Sequence, residues 1–253
     1  MCRLLSTYGK PEEWSKIIIE FQKQANTGEI PPITGIEPGH KDGWGMTRSN
    51  IDKLGMETVG NYLGSAMETD EYKQNIDSIS TPPHIFMCHL RKATPGIPIS
   101  LANAHPFHQE NWAFSHNGTV YNSNELKSDS SFRFTSDNSD SEHYFHYLLS
   151  YILNENLQQT FPEKIIEALL NISVSFTSLN SMFSNGSELF AIRYCTKYED
   201  YYSLSYYETK NGIVISSEPI NIPEFETNLW KEIPNRSIIR VSGYPLEVEI
   251  FQF

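Results

Sequence analysis

The last third of the chain alternates short apolar runs with turn residues, and this pattern limits the folds that the sequence can adopt. The runs have the length and composition of β-strands, and the Asn-Gly pairs at 185–186 and 211–212 are typical of turns or hairpins. The middle of the chain predicts helices instead. Because no repeat, heptad or linker separates these regions, we expect one α+β domain over residues 1–253. The predicted strands of the last third are 188–194, 201–207, 212–216, 237–241 and 246–251.

The first part of the chain predicts a strand, a helix and a long loop, in that order. Residues 2–6 form a short strand-like run, and the segment after Pro11, which would sit in the first turn, has apolar residues at helical spacing. Residues 28–45 are rich in glycine and proline, so we expect a surface loop there, and loops of this length often border a site. The apolar helix positions are Trp14, Ile17, Ile18, Phe21 and Ala25.

Two further apolar runs each end in polar residues. Residues 85–90 predict a buried strand that ends at Arg91, and residues 112–115 predict a strand that ends at His116-Asn117-Gly118. The polar segment that follows ends in Ser-Asp-Ser-Glu, which has the form of a capping box. We therefore expect Ser139 to cap a helix, with Glu142 reaching back to it, and a second helix over about 163–171.

Composition and charge argue against several classes of function. The 253 residues carry a net charge of −12 with scattered Lys and Arg, so no nucleic-acid partner is expected. The N-terminus lacks the pattern of a secretory signal, and no apolar stretch approaches the ~20 residues that span a bilayer, so we expect no membrane partner. The three cysteines are widely spaced, which favours a reducing compartment and predicts a cytoplasmic protein.

A cysteine directly follows the initiator methionine. Because its side chain is small, Met1 can be removed during maturation, and Cys2 would then carry a free α-amino group beside its thiol. An unperturbed α-amino group titrates near ~7.7–8.0 and a thiol near ~8.5, so the amine is suitably basic at neutral pH. Cys2 would then hold a nucleophile and its base together, without a separate histidine base. The alternative is a small buried strand residue.

Five stretches, taken in chain order, resemble the class II glutamine amidotransferases, a family of N-terminal-nucleophile hydrolases. The chain is most similar to stand-alone members that begin Met-Cys and carry Asp-Gly-Trp-Gly, here residues 42–45, and residues 216–219 also resemble this subfamily. The resemblance implies a four-layer αββα sandwich of two antiparallel sheets, with Cys2 opening a central strand. The five stretches are Cys2, His89 to Thr94, Asn103 to Phe107, Ser115 to Thr119 and Ser139 to Glu142.

The resemblance also implies a reaction and the residues that perform it. The γ-amide of glutamine would be cleaved through a γ-glutamyl thioester on Cys2, releasing ammonia. Asn117 would bind the oxyanion through its side-chain amide and Gly118 through its backbone N–H, although an Asn-Gly pair alone is more typical of a turn. Arg91 would clamp the substrate α-carboxylate with its planar fork, and Asp140 would take the α-ammonium group. A surface arginine and a helix-capping acid are the alternatives.

Three more residues are expected near the substrate. Thr94 falls where the family places a further glutamine contact. His89 stands at a strand end beside Arg91 and is expected close to the site, and His105, together with His116, is expected to shape the pocket wall.

Other sequence features are expected to be structural. Histidine pairs at 105 and 108 and at 143 and 146 lack the flanking pattern of a zinc site, so we expect no metal and no cofactor. Residues 42–45 are expected to be scaffold that supports the first strand. The tyrosine-rich stretch 198–207 has the alternation of a half-exposed hairpin, for which a sheet face is favoured over an interface.

Three functions stay open at this point. The first is a glutaminase or amidotransferase subunit that acts on free glutamine and passes ammonia to a separate synthase or acceptor subunit, because we expect no fused synthase domain in 253 residues. The second is a hydrolase of γ-glutamyl amides, peptides or thiol conjugates, which would use the same Arg91 and Asp140 with a wider leaving-group pocket. The third is a non-catalytic binding module that retains Met1.

Overall fold

Two antiparallel β-sheets form the centre of the protein. The structure, a computed structural model, describes residues 2–32, 39–49, 54–93, 98–136, 138–155 and 158–253. Within these ranges thirteen strands and four α-helices are present, and all strand pairs in the two sheets are antiparallel.

The first sheet has seven strands, which are β1 (Arg3–Gly9), β2 (Gly43–Ser49), β3 (Met56–Tyr62), β4 (Ile85–Arg91), β9 (Ser205–Glu208), β10 (Gly212–Ser216) and β11 (Lys231–Glu232). Their order across the sheet is β11-β9-β10-β1-β4-β2-β3. The first strand of the chain is therefore central, as expected. It pairs with β4 in a register that places Arg3 opposite Leu90.

The second sheet has six strands, which are β5 (Phe107–Gln109), β6 (Trp112–Asn117), β7 (Asn180–Ser184), β8 (Leu189–Arg193), β12 (Ser237–Ser242) and β13 (Glu247–Gln252). Their order is β13-β12-β8-β7-β6-β5. Apolar side chains from both sheets fill the layer between them, and among these are Leu4, Met87, Ala113, Met182, Ile213 and Ile239.

The helices cover the outer faces of the two sheets. They are α1 (Trp14–Thr27), α2 (Asp70–Asp77), α3 (Asp140–Ile152) and α4 (Phe161–Asn171). Phe21 of α1 and Tyr72 of α2 share a buried cluster with Trp44 of the first sheet. Phe145 of α3 packs in a second cluster with Phe114 of the second sheet. These contacts confirm the four-layer αββα sandwich. No helix among the described residues has both the length and the apolar character that crossing a membrane requires.

The sequence pattern located some elements and missed others. All five predicted apolar positions of α1 are buried, although Pro11 precedes the helix rather than lying in its first turn. The short helix α2 was missed because it buries few residues, Tyr72 and Ile76. Strand β7 was missed because its sequence, Asn-Ser-Met-Phe-Ser, is largely polar even though all five residues are buried.

The predicted capping box at α3 is wrong. Ser139 is the residue before the helix, but its side chain makes no capping hydrogen bond within the described chain. Glu142 instead accepts hydrogen bonds of 2.8 Å from the backbone N–H groups of Thr135 and Ser136. The Ser139 N–H donates to the Ser136 hydroxyl over 2.9 Å. The preceding loop therefore supplies the partners that a capping box would have supplied.

The Asp-Gly-Trp-Gly stretch supports a different strand from the one expected. Strand β2 pairs with β4 and β3, and β4 separates it from β1. Gly45 lies opposite His89 in this register. A Cβ atom at Gly45 would lie 2.1 Å from the carbonyl oxygen of His105, so the close approach of these two backbones requires glycine here.

The tyrosine-rich stretch is only in part the expected sheet face. The strand β9 begins at Ser205, later than the predicted 201, and Tyr206 and Tyr207 lie on it. Tyr201 and Tyr202 precede the strand in a turn and form a small buried cluster with Cys195. The strand prediction failed for these two residues. Tyrosines that are buried in a turn and tyrosines that alternate along a strand can have the same spacing in the sequence, so the spacing alone does not distinguish them.

Candidate active site

Cys2 lies directly before β1 and is 5% exposed. Its backbone N–H donates a hydrogen bond of 2.7 Å to Oδ1 of Asn117. Its thiol donates to the carbonyl oxygen of Lys92, with 3.7 Å between sulfur and oxygen. The bond to Asn117 crosses from the first sheet to the second, so it joins two residues that are distant in sequence.

Asn117 and Gly118 stand at the end of β6. The Asn117 side chain is buried, and its Nδ2 has no hydrogen-bond partner among the described residues. A buried amide N–H without a partner costs free energy, and such groups often mark a place for a ligand. A Cβ atom at Gly118 would lie 1.9 Å from the Ser178 carbonyl oxygen, so this position has room only for glycine.

Arg91 ends β4 and is 4% exposed. Its Nη2 donates to the carbonyl oxygen of Pro98 over 3.0 Å. Its Nη1 is buried and finds no hydrogen-bond partner in the described part of the chain. A buried guanidinium with one unpaired nitrogen is suited to an anionic ligand, because its N–H groups match a carboxylate.

Asp140, the first residue of α3, lines the same small cavity as Cys2, Arg91 and Gly118. Its Oδ2 accepts a 2.8 Å hydrogen bond from the backbone N–H of Val120. The helix-capping alternative is therefore not what this carboxylate does in the structure. Its Oδ1 has a 3.5 Å contact with the Ser141 hydroxyl.

A larger surface pocket lies elsewhere, lined by residues 110–112, 129, 131–132, 150 and 153–155. It includes none of the predicted site residues. Its size alone therefore gives no reason to prefer it over the small cavity at Cys2.

The Cys2 thiol is poised to ionise at neutral pH. In the chain that retains Met1, burial raises this pKa, but the positive charge of the amino terminus and the neighbouring His89 lower it by more, and the pKa falls to about 6. The other two cysteines lack these charges, and burial raises the pKa of Cys88 to about 12 and that of Cys195 to about 11. Above pH 6 the reactive thiolate is therefore expected at Cys2 rather than at the other two cysteines.

His89 and His105 stack beside the cavity, with 4.3 Å between ring centroids. Both rings are buried; the two nitrogens of His105 have no hydrogen-bond partner within the described ranges, whereas the His89 ring interacts with the Cys2 thiol and lowers its pKa. Burial, together with the neighbouring positive groups, lowers the pKa of His105 well below its usual value, so this ring is neutral at pH 7. His105 lines the cavity and His89 lies beside Cys2, while their predicted role in binding substrate stays a prediction.

His116 is held between two polar neighbours in the cavity wall. Its Nε2 lies 2.9 Å from the Ser178 carbonyl oxygen, to which it donates, and its Nδ1 lies 2.9 Å from the Ser141 hydroxyl. Burial lowers the pKa of His116 to about 4, so this ring is also neutral at pH 7. These contacts suit the expected wall position.

The structure does not describe every predicted residue. Thr94 lies outside the described residues, so its predicted substrate contact stays a prediction. Among the residues that are described, no three His, Cys, Asp or Glu side chains form a group that could hold a metal ion.

The sequence analysis missed the residues that bind the backbone of Cys2 and of the start of β1. Arg3 is fully buried, donates to the Cys2 carbonyl oxygen over 3.4 Å and forms an ion pair with Glu218. Ser217 accepts a 3.0 Å hydrogen bond from the backbone N–H of Leu4. The available signals were an arginine in an otherwise apolar strand and the Ser-Ser-Glu-Pro stretch at 216–219, to which no role had been given.

The chain is similar to known proteins in both sequence and fold. The family model described as "Glutamine amidotransferases class-II" matches residues 1–206. An uncharacterized protein of Methanocaldococcus jannaschii is 35% identical over 125 residues, which are 47% of this chain and 32% of that protein. A Haemophilus influenzae protein named "Putative glutamine amidotransferase" is 28% identical over 167 residues, 62% of this chain and 53% of that protein.

The chain thus spans about a third and about half of the lengths of these two curated relatives. Among solved structures, a glutamine aminotransferase class-II domain protein from Silicibacter pomeroyi has a TM-score of 0.62 at 18% identity, and the match covers 100% of both chains. At that identity the similarity shows a shared fold.

Proposed function

Because the chain belongs to the class II glutamine amidotransferases, we propose that it cleaves the γ-amide of glutamine with Cys2 as the nucleophile. One observation carries this proposal. The Cys2 nitrogen is bound to Asn117 Oδ1, while Asn117 Nδ2 and Arg91 Nη1 are buried donors without a partner among the described residues. These groups would supply what the proposed reaction needs, namely a nucleophile, a donor for an oxyanion and a donor for a carboxylate.

The first step would form the thioester. Removal of Met1 turns the Cys2 nitrogen into an α-amino group, which takes the proton of the thiol. The sulfur attacks the γ-carbonyl carbon of glutamine, a C–S bond forms, and the carbonyl electron pair moves to oxygen. Asn117 Nδ2 and the Gly118 N–H donate hydrogen bonds to this oxyanion.

The second step would release ammonia and restore the enzyme. When the oxyanion collapses, the C–N bond breaks and ammonia leaves with the proton that the α-amino group had taken. Water then loses a proton to the same amine and attacks the thioester carbon, the C–S bond breaks, and glutamate leaves while the sulfur regains its proton. The steps balance without an oxidant or a reductant.

Arg91 and Asp140 would recognise the amino-acid end of the substrate. Nη1 of Arg91 binds the α-carboxylate, and Oδ1 of Asp140 binds the α-ammonium group, since Oδ2 is occupied by Val120. Both groups exist only on a free or γ-linked glutamate end. Glutamine within a protein chain lacks both charges and is therefore excluded.

A γ-glutamyl amide or peptide is the second candidate substrate. Arg91 and Asp140 would bind only the α-carbon end of the ligand. The γ-carbonyl group at Cys2 could therefore carry either ammonia or a larger amine as its leaving group. If ammonia is the leaving group, a synthase or another acceptor would consume it.

Glutamate release separates these functions. The purified protein is incubated with glutamine, a γ-glutamyl dipeptide and a γ-glutamyl thiol conjugate, and its intact mass is measured in parallel. We expect a mass that lacks Met1 and release from glutamine. A higher kcat/KM with the dipeptide or conjugate would support the hydrolase, and retained Met1 with no release from any compound would show a binding module and contradict the proposal.

A further inference from the structure

An ion pair between the buried Arg3 and the partly exposed Glu218 lies on the far side of β1 from the Cys2 thiol. Successive side chains of a strand point to opposite faces of the sheet, so Arg3 points away from the cavity that Cys2 lines. Arg3 is fully buried, and its Nε pairs with Oε1 of Glu218. Its guanidinium also lies over the ring of Tyr201, 4.7 Å from the ring centre.

The remaining nitrogens of Arg3 bind two backbone carbonyls. Nη1 donates to the carbonyl oxygen of Cys2 over 3.4 Å, and Nη2 donates to the carbonyl oxygen of Glu29. Oε1 of Glu218 accepts a 2.7 Å hydrogen bond from the N–H of Glu29. The pair therefore ties the residue that carries the nucleophile to the segment that follows α1.

The neighbouring residue of the same stretch holds the next peptide of β1. Ser217 accepts from the Leu4 N–H over 3.0 Å, and its own N–H donates to the Leu4 carbonyl oxygen over 2.9 Å. Residues 217 and 218 thus fix two consecutive residues after Cys2, Leu4 directly and Arg3 through its side chain.

Stability alone is a poor explanation for this arrangement. Removing two charges from water is costly, and replacement of a buried ion pair by apolar residues is often neutral or stabilising. Burial raises the pKa of Glu218 by more than the neighbouring Arg3 lowers it. A role in placing Cys2 accounts for the pair more directly.

We propose that Arg3 and Glu218 form a positioning clamp that sets the direction of the Cys2 sulfur. After removal of Met1, Cys2 is a terminal residue, and terminal residues are poorly ordered unless they are tied down. Asn117 holds its nitrogen and Arg3 holds its carbonyl oxygen, so rotation about the Cα–Cβ bond is the main freedom left to the sulfur. The inference rests on the proposed function of Cys2.

The test compares kcat and KM in the full chain. The double variant Arg3→Met/Glu218→Met removes both charges at once and so leaves no unpaired buried charge. We expect kcat for glutamate release to fall on the order of 10²-fold, as small displacements of reacting groups do, while KM stays near wild type because Arg91 and Asp140 are untouched. Arg3→Lys keeps the positive charge but loses the planar guanidinium group. Its kcat should lie between those of the wild type and the double variant.

A matched pair at the other end of β1 is the control. Arg240 and Glu188 form a partly buried ion pair close to Tyr8, far along the strand from Cys2, with Arg240 more exposed than Arg3. Arg240→Met/Glu188→Met should keep the wild-type kcat. Thermal melting shows whether each variant is folded; should the double variant at the clamp not fold, Arg3→Lys decides. A folded clamp variant with wild-type kcat would overturn the proposal.

A second experiment measures the alkylation of Cys2 by iodoacetamide, with the modified residue located by mass spectrometry. Because this reaction needs no substrate, it separates failure of the clamp from failure of the proposed function. Loss of the clamp should move Cys2 away from His89 and shift the midpoint pH of alkylation upward. If wild-type protein releases glutamate from no compound but this midpoint still shifts, the proposed function fails and the clamp stands. An unchanged midpoint in the folded double variant overturns the clamp whatever the substrate result.

Discussion

The two ends of the layer between the sheets differ in what they bury. One part of the layer is aliphatic, with Met182 and Ile239 packed among other apolar side chains. The end at Cys2 buries polar atoms of Arg91, His105 and Asn117 that have no hydrogen-bond partner among the described residues. Such atoms lower stability, and the binding of a ligand would offset that loss. One end of the layer therefore stabilises the fold, whereas the other leaves buried polar groups that a ligand could bind.

The largest difference in kcat is expected between variants of two thiols, Cys2 directly before β1 and Cys88 on the neighbouring strand β4. Cys2→Ala should lower kcat for glutamate release by at least about 10⁴-fold, because it removes the nucleophile. Cys88→Ala should keep activity, since burial raises the pKa of Cys88 to about 12 and its side chain contacts Tyr72 instead of the cavity. Steady-state kinetics on both variants measures this. Wild-type activity in Cys2→Ala would contradict the mechanism.

The next largest effect is expected at Asn117. Asn117→Ala removes an oxyanion donor and should lower kcat by ~10²–10³. Asn180, its neighbour across β6 and β7, is the matched control, because both ends of its amide are bonded, Nδ2 to the Tyr202 carbonyl over 2.8 Å and Oδ1 to the Tyr194 N–H over 2.9 Å. Asn180→Ala should reduce the melting temperature more than kcat. A larger loss of kcat in Asn180→Ala than in Asn117→Ala would show that Asn117 does not bind the oxyanion.

Arg91→Lys should act on substrate binding. Lysine keeps the positive charge but lacks the planar fork, so the loss of one charge-assisted hydrogen bond, about 1.5–3 kcal/mol, should raise KM for glutamine by about 10- to 100-fold. The kcat value should change much less. An unchanged KM would mean that the unpaired Nη1 does not meet the α-carboxylate.

The smallest effect is expected in the aliphatic part of the layer. Ile239→Val removes one buried methyl group and should lower the free energy of unfolding by about 0.5–1.5 kcal/mol, as measured by urea denaturation. Its kcat should equal that of the wild type. A clear loss of kcat would show that the two ends of the layer are coupled and would break the comparison.

The sequence predicted the parts of this molecule that depend on local patterns. The apolar face of α1 and the strand ends at Arg91 and Asn117 follow from spacing and composition, which are visible in a short window of sequence. Strand β7 escaped detection because buried serine and asparagine side chains hide the apolar pattern. The contact between Cys2 and Asn117 crosses two sheets, so only the family resemblance brought these residues together before the structure did.

The other features that the sequence did not predict are polar contacts between residues that are distant in the sequence. Nothing near Arg3 in the sequence indicates that Glu218 is its partner, and nothing near Glu142 indicates that it binds the loop at Thr135 instead of closing a capping box. These pairings are fixed by how distant segments meet in the fold, which periodicity does not report.

Covalent trapping tests the central claim most directly, namely that the Cys2 sulfur is the reactive atom of a glutamine site. The protein is treated with a glutamine-like diazoketone and digested, and the modified residue is found by mass spectrometry. The account predicts labelling at Cys2 and not at Cys88 or Cys195, with a rate that rises with pH to a plateau and a midpoint at about 6. Labelling at either other cysteine, or no labelling at Cys2 above that pH, would contradict it.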